Sequence, residues 1–133
     1  MIVIRNKIVP PAGFKALTAW PLLFVRAKYM TERDERHEGI HGEQQKEMLC
    51  VGALLGAMCW VLGCGWWSLL ALPLYLWLYG GLYLTGLLMG RNRRGGLSAY
   101  RWNPMEREAY QFEGDTDYLN RRRRFAWYLF LKL

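Results

Sequence analysis

The hydrophobic and polar positions divide the chain into four blocks of different character. Residues 2–9, Ile-Val-Ile-Arg-Asn-Lys-Ile-Val, are β-branched and partly alternating, which predicts a strand. Pro10, Pro11 and Gly13 break it, and residues 20–26, Trp-Pro-Leu-Leu-Phe-Val-Arg, predict a second strand. The two are expected to pair as a short hairpin, with Pro21 at a strand start or an edge. Residues 14–26 also suit an interfacial segment, with Phe14, Trp20 and Phe24 dipping into lipid. Thr31-Glu32-Arg33-Asp34 is a capping sequence with Thr31 as N-cap, so a helix is expected from about Glu32. From Met48 to Gly90 the chain has no Asp, Glu, Lys, Arg or His. That window far exceeds the ~20 apolar residues of one membrane span.

No breaker separates the charged helix from the apolar window, so the helix is expected to run on as a first span to about Leu62. Gly63-Cys64-Gly65 signals a turn, and Trp66 and Trp67 suit an interface. A second span is expected from about Ser68 to Met89, kinked near Pro73, with Gly80, Gly81 and Gly86 allowing close helix approach. One long span plus a buried apolar segment is the alternative. Farther on, Asn103 is a good N-cap and Pro104 a good first helical residue, giving a helix to about Phe112. Asp117 is placed to cap a last helix containing Tyr118 and the arginine block. Residues 125–133 are apolar but too short to span, and suit an interface.

The expected class is therefore a mainly α membrane protein. At 133 residues it forms a single domain, 1–133. Strands occupy 1–30, the charged helix 32–47, a two-span hairpin 48–90 and C-terminal helices 103–133. The net charge of +7 comes largely from two blocks, Arg91-Asn92-Arg93-Arg94 and Arg121 to Arg124. Beside so long an apolar window these read as positive-inside flanks rather than a nucleic-acid surface. With Lys46 they put both ends of the hairpin on the cytoplasmic side, with the lipid bilayer as a partner. Cys50, Cys59 and Cys64 all lie in the apolar window without zinc-pair spacing and read as small apolar residues. No cleavable signal is expected, since Arg5, Lys7 and Lys15 interrupt the N-terminus.

The charged helix carries the chemistry. His37-Glu38-Gly39-Ile40-His41 is H-E-x-x-H. Residues four apart share a helix face, so His37 and His41 can bind one zinc ion. Glu38 is placed to act on water there as general base. Peptide-hydrolysing zinc sites use three protein ligands and one open position. The chain has no other histidine, which leaves a carboxylate as third ligand. Gln44 and Met48 share the histidine face, and Gln44 can orient a ligand or the substrate. The helix beginning at Pro104 returns to the side of the histidines, which makes its carboxylates available. Glu106, at its third position, also suits a capping role.

His37-Glu38-Gly39-Ile40-His41, the uncharged hairpin and Asn103-Pro104-Met105-Glu106-Arg107-Glu108-Ala109-Tyr110 resemble the membrane-associated gluzincin metallopeptidases, among them HtpX-like proteases and type I CAAX prenyl proteases. The chain is more similar still to small bacterial membrane proteins that carry H-E-x-I-H-x-x-Q, E-R-E-A-Y and D-Y-L, the last at Asp117-Tyr118-Leu119. The resemblance implies a zinc endopeptidase of a bacterial inner membrane that cleaves peptides or proteins. His37, His41 and Glu106 would be the ligands and Glu38 the base. One position departs from the pattern. Where the family has an Asp that supports a ligand histidine, this chain has Tyr110. Glu108, roughly 200° round the helix from Glu106, is the reserve ligand. A non-catalytic membrane anchor or partner-binding protein that keeps the peptidase-like fold is the alternative.

Overall fold

A computed structural model describes residues 1–89 and 97–131. Within them the chain is mainly helical, with a small N-terminal sheet. Strands β1 (Ile2–Arg5), β2 (Ala16–Ala19) and β3 (Leu22–Val25) are followed by helix α1 (Glu32–Val61). A 3-10 segment (Gly65–Ala71) leads to α2 (Leu74–Leu88). The C-terminal part comprises α3 (Leu97–Trp102), α4 (Pro104–Phe112), α5 (Tyr118–Arg121) and a second 3-10 segment (Ala126–Phe130).

The sheet differs from the expected hairpin of 2–9 with 20–26. Those two regions pair in parallel, Ile2 opposite Leu22 through Arg5 opposite Val25. The hairpin partner of β3 is β2, and the strand order is β1-β3-β2. β1 stops at Arg5 because the Asn6 side chain accepts bonds from the amides of Ile8 and Val9, at 2.8 and 2.7 Å. Such a local side-chain turn draws the backbone away from the ladder. Residues 16–19 form a strand rather than an interfacial segment because Thr18 turns inward and Leu17 and Ala19 outward, the period-two pattern of a half-buried edge.

Helix α1 begins where expected. The Thr31 hydroxyl accepts from the Asp34 amide, and the Asp34 carboxylate accepts from the Thr31 amide, closing a capping box. Glu32, Asp34 and Glu35 place negative charge on its N-terminal turn, which the helix dipole favours. The helix continues without a break to Val61.

The expected second span is divided. Residues 65–71 wind as 3-10 helix, the path breaks at Leu72 and Pro73, and α2 leaves at 60°. Proline lacks an amide hydrogen and crowds the preceding turn, so a helix through Pro73 is disfavoured. Among the described residues no single helix is long and apolar enough to cross a membrane; the bent pair passes that test only jointly. The basic stretch Arg91-Asn92-Arg93-Arg94 lies outside the described residues.

Close helix approach uses glycines other than most of those expected. A Cβ on Gly52 would lie 2.2 Å from the Ala71 carbonyl oxygen, and one on Gly56 would lie 3.0 Å from that of Ser68. Spaced four apart, they form the G-x-x-x-G stripe on which the 3-10 segment rests. Gly86 admits Ala99 and Trp102, whereas a Cβ on Gly80 or Gly81 would meet nothing within 4 Å among the described residues.

Helix α4 starts as expected, with the Asn103 side chain accepting from the Met105 amide at 3.1 Å. Its buried face packs Ala109 against Ile40 of α1 and Tyr118 of α5, and Phe112 stacks on Tyr118 with ring centroids 3.8 Å apart. α5 is shorter than expected: it ends at Arg121, and Asp117 occupies the cap position without a side-chain capping bond. Residues 126–130 curl back as a 3-10 turn, with Tyr128 and Leu129 exposed.

Gly52→Ala should destabilise the fold by about 1–3 kcal/mol, because the methyl meets backbone that cannot rotate away. Gly80→Ala meets nothing and should be neutral or stabilising by up to about 1 kcal/mol. Thermal unfolding of both variants checks the contrast.

Candidate metal centre

Helices α1 and α4 pack so that the histidine face of one meets the acidic face of the other. His37 and His41 lie one turn apart on α1, and Glu106 enters from the first turn of α4. The Nε2 atoms of the two histidines are 3.2 Å apart. One Glu106 oxygen lies 3.2 Å from His41 Nε2 and the other 3.5 Å from His37 Nε2. Ligands held tetrahedrally about 2.0–2.1 Å from zinc lie about 3.4 Å from one another. Each histidine meets a different carboxylate oxygen at about that separation, and one ligand atom from each of the three residues lies within 4.8 Å of the others. The Glu106 carboxylate is 2% exposed, and its Oε2 has no hydrogen-bond partner. A buried carboxylate oxygen without a donor is costly, and a cation at the centre of the triangle satisfies it. The residues present fit zinc.

The other ring nitrogens set the direction of the Nε2 lone pairs. His37 Nδ1 donates to Glu113 Oε2 at 2.8 Å. His41 Nδ1 lies 2.9 Å from Gln44 Oε1. The Gln44 amide nitrogen donates to the Met105 carbonyl and to Glu108 Oε2, both at 3.0 Å, so its oxygen must be the acceptor toward His41. Both imidazoles thus carry hydrogen on Nδ1, and both Nε2 atoms are free to face Glu106. Ligand histidines in metal sites are held in this manner.

The carboxylate supporting His37 is Glu113, the C-cap of α4, and the sequence reasoning missed it. A signal was present, since Glu113 lies seven residues beyond Glu106 and so two turns along the same helix face. Arg33 donates to the other Glu113 oxygen at 2.7 Å and Arg36 to its carbonyl at 2.8 Å, which anchors it to α1. Tyr110, which stands where the family pattern has an Asp, instead packs its ring edge-on against His37, centroids 4.7 Å apart.

Glu108 is placed away from the metal group. Fully buried, it accepts from the Tyr118 hydroxyl at 2.9 Å and pairs with Arg122, which also pairs with Glu47. Arg122 was expected among the flanking charges, but its side chain is only 4% exposed. A continuous polar path therefore runs from His41 through Gln44 and Glu108 to Arg122 and back to α1 at Glu47. Ile40, Gln44, Glu108, Ala109 and Tyr118 all lie in this path or in the apolar cluster beside it.

Glu38 faces the sheet. Thr18 on β2 donates to its Oε2 at 2.7 Å. Its negative charge is near enough to act on His41, where it favours the protonated ring. From α2, the Tyr79 hydroxyl donates to Glu106 Oε1 at 2.8 Å, and the Tyr75 hydroxyl lies 3.5 Å from His41 Nδ1. Neither tyrosine carried a sequence signal beyond membership of an apolar helix.

Without metal, the triangle holds a proton. Burial by itself would lower the His41 pKa, but the Glu106 carboxylate and the Gln44 hydrogen bond outweigh it and push His41 up to about 9. Burial likewise works against the Glu106 carboxylate, and the charge on His41 with the hydrogen bonds from His41 and Tyr79 holds it well below its ordinary value.

Purified chain should bind close to one zinc, and His41→Ala or Glu106→Ala should abolish binding, while Glu113→Ala should weaken it about 10–100-fold. Metal analysis and competition titration measure both. A raised histidine pKa stabilises fully below the unfolded value of 6.5 and is lost as pH rises through about 9. A lowered carboxylate pKa stabilises above its ordinary 4.5 and is lost as pH falls below that. Metal-free chain should therefore gain most from this pair between pH 4.5 and 6.5. Zinc must displace the shared proton, so its affinity should rise with pH toward about 9. Calorimetry in buffers of different ionisation enthalpy should show about one proton released per ion at neutral pH.

Among known proteins, no family model, no curated protein and no solved structure matches this chain.

Proposed function

We propose that the chain is a zinc-dependent metalloendopeptidase that works at a membrane surface, with Glu38 as general base. The observation that carries the reading is the convergence of His37, His41 and Glu106, with one ligand atom from each within 4.8 Å of the others, beside Glu38 at the next position of the motif. Bound there, zinc supplies Lewis acidity, which acidifies water and polarises a carbonyl. The remaining work belongs to the chain. Glu38, steadied by Thr18, takes a proton from the attacking water and delivers it to the departing amine. Glu113 and Gln44 keep the imidazoles in one tautomer through the cycle, and the Tyr75 and Tyr79 hydroxyls border the site from α2.

The edge of the sheet supports a peptide as substrate. β2 runs beside Glu38 and, among the described residues, has no strand on its outer side. There the Gln45 side-chain amide donates to the Thr18 carbonyl at 2.7 Å and accepts from the Trp20 amide at 2.6 Å. This edge already binds an amide through both backbone groups, the interaction by which extended peptides add to a sheet.

Membrane attachment is part of the proposal. Leu54, Met58, Trp60, Val61, Leu62, Trp66 and Trp67 are exposed at the far end of α1 and the turn after it. An apolar surface of that extent marks contact with lipid or with another protein. The net charge of +7 favours the cytoplasmic face, where anionic lipid attracts it.

Glu38→Gln should retain zinc and lose about 10²–10⁴-fold in peptide turnover. The assay is cleavage of a mixed peptide library by detergent-solubilised chain, read by mass spectrometry with and without chelator. Zinc retained and no chelator-sensitive cleavage by the wild type would leave a metal-stabilised membrane protein without peptidase activity.

A further inference from the structure

The uncharged part of the chain emerges from the body as a hairpin whose two legs differ in kind. The first is α1 from Met48 to Val61, which rises about 21 Å at about 1.5 Å per residue. The second is the 3-10 segment Gly65–Ala71, about 14 Å at about 2 Å per residue. By Tyr75 the chain is back beside His41. The hydrocarbon core of a bilayer is about 30 Å thick. Neither leg crosses it.

After the break at Pro73, α2 does not continue the second leg. It turns by 60° and passes beneath the metal centre. Tyr75, Tyr79 and Gly86 fall within about 40° of one another round this helix, and all three face the body. Trp77, Leu84 and Leu88 fall about 180–220° away and are exposed. One face of α2 therefore borders the site, and the other is apolar and uncovered among the described residues.

The hairpin is also built to lie in lipid. At its tip the amides of Leu62, Gly63 and Cys64 bond to the carbonyls of Met58, Trp60 and Cys59. At the break, the Trp77 indole donates to the Leu70 carbonyl at 2.9 Å. Irregular backbone survives at membrane depth only where its polar groups are satisfied in this way. Charge returns at the base of the hairpin, where Lys46 pairs with Glu43 and lies 5.8 Å from the Trp20 ring centroid. Trp20 is itself partly exposed, as expected for a ring at the headgroup level.

We propose that the chain is monotopic: residues 48–73 enter one leaflet as a re-entrant hairpin, α2 lies along the bilayer surface, and the occupant of the exposed apolar face is a single lipid leaflet. The inference rests on the membrane reading above and replaces two crossings with none. It places the His37–His41–Glu106 group just above the lipid, roofed from it by α2. Substrates would then be peptides that lie at or emerge from the membrane surface.

The test uses a native side chain. In a Cys50→Ala, Cys59→Ala background, a spin label on Cys64 reports the depth of the tip in proteoliposomes, from collisions with oxygen and with an aqueous nickel chelate. Labels at Trp77→Cys and Leu88→Cys report the two ends of α2, and one at Lys28→Cys marks the side of the site. The expected result is a Cys64 label shielded from chelate near the bilayer centre, with the two α2 labels at equal, shallower depth. A Cys64 label wetted on the face opposite Lys28, with the α2 labels differing by about 16 Å in depth, would overturn the inference and keep the membrane reading. Labels at Cys64 and Trp77 as open to chelate as the one at Lys28 would overturn both. The Cys64 reading needs no substitution at its own position, so it stands even where an α2 variant fails to fold.

Discussion

Everything near the centre of this protein depends on placing the Glu106 carboxylate between two imidazoles. A carboxylate that is 2% exposed is costly in any protein unless positive charge or strong donors surround it. Here the donors are arranged on one side only. Tyr79 serves one oxygen, and the other is left facing His37. That asymmetry is intelligible as a cation site, and a structural role for Glu106 as a helix cap does not account for it. The cap of α4 is in any case made by Asn103, from the residue before the helix.

Around that centre the protein spends an unusual share of its small interior on charge. Glu47, Arg122 and Glu108 form a buried ionic group that ends on Gln44 and so on His41. Buried ion pairs contribute little net stability, because desolvation offsets their attraction, but removing one partner strands the other. Their effect here is directional. Glu108 holds the Gln44 amide nitrogen, which leaves only its oxygen for His41. Glu113, held by Arg33, acts in the same way on His37. The two helices are thus aligned by the same bonds that set the imidazole tautomers, so packing and metal affinity cannot be altered independently.

α1 belongs to two environments. Its first half carries the motif against the sheet and α4, and its second half carries the G-x-x-x-G stripe and the exposed apolar tip. A single unbroken helix fixes the distance between that tip and the His37–His41–Glu106 group. α2 brings the Tyr75 and Tyr79 hydroxyls to the group.

Much of the centre was legible in the residues. The i, i+4 spacing put His37 and His41 on one face, Thr31 and Asn103 marked helix starts, and roughly 200° between Glu106 and Glu108 told against both ligating one metal, with Glu108 kept as the reserve. These are properties of a few consecutive residues and a fixed helical pitch, so they survive without tertiary knowledge. The parallel pairing of β1 with β3, the support of His37 by Glu113, the burial of Arg122 and the tyrosines of α2 were not legible. Each joins residues that are distant in sequence, Arg122 to Glu47 across 75 positions, and helix period says nothing about which faces meet. The sequence by itself determined where α1 and α4 begin, which side chains share a face and where charge is absent. Only the tertiary structure decided which faces pair and that the apolar stretch folds back on α1 instead of forming a second long helix, because the break at Pro73 and the approach of two backbones at Gly52 are resolved only when the chain packs on itself.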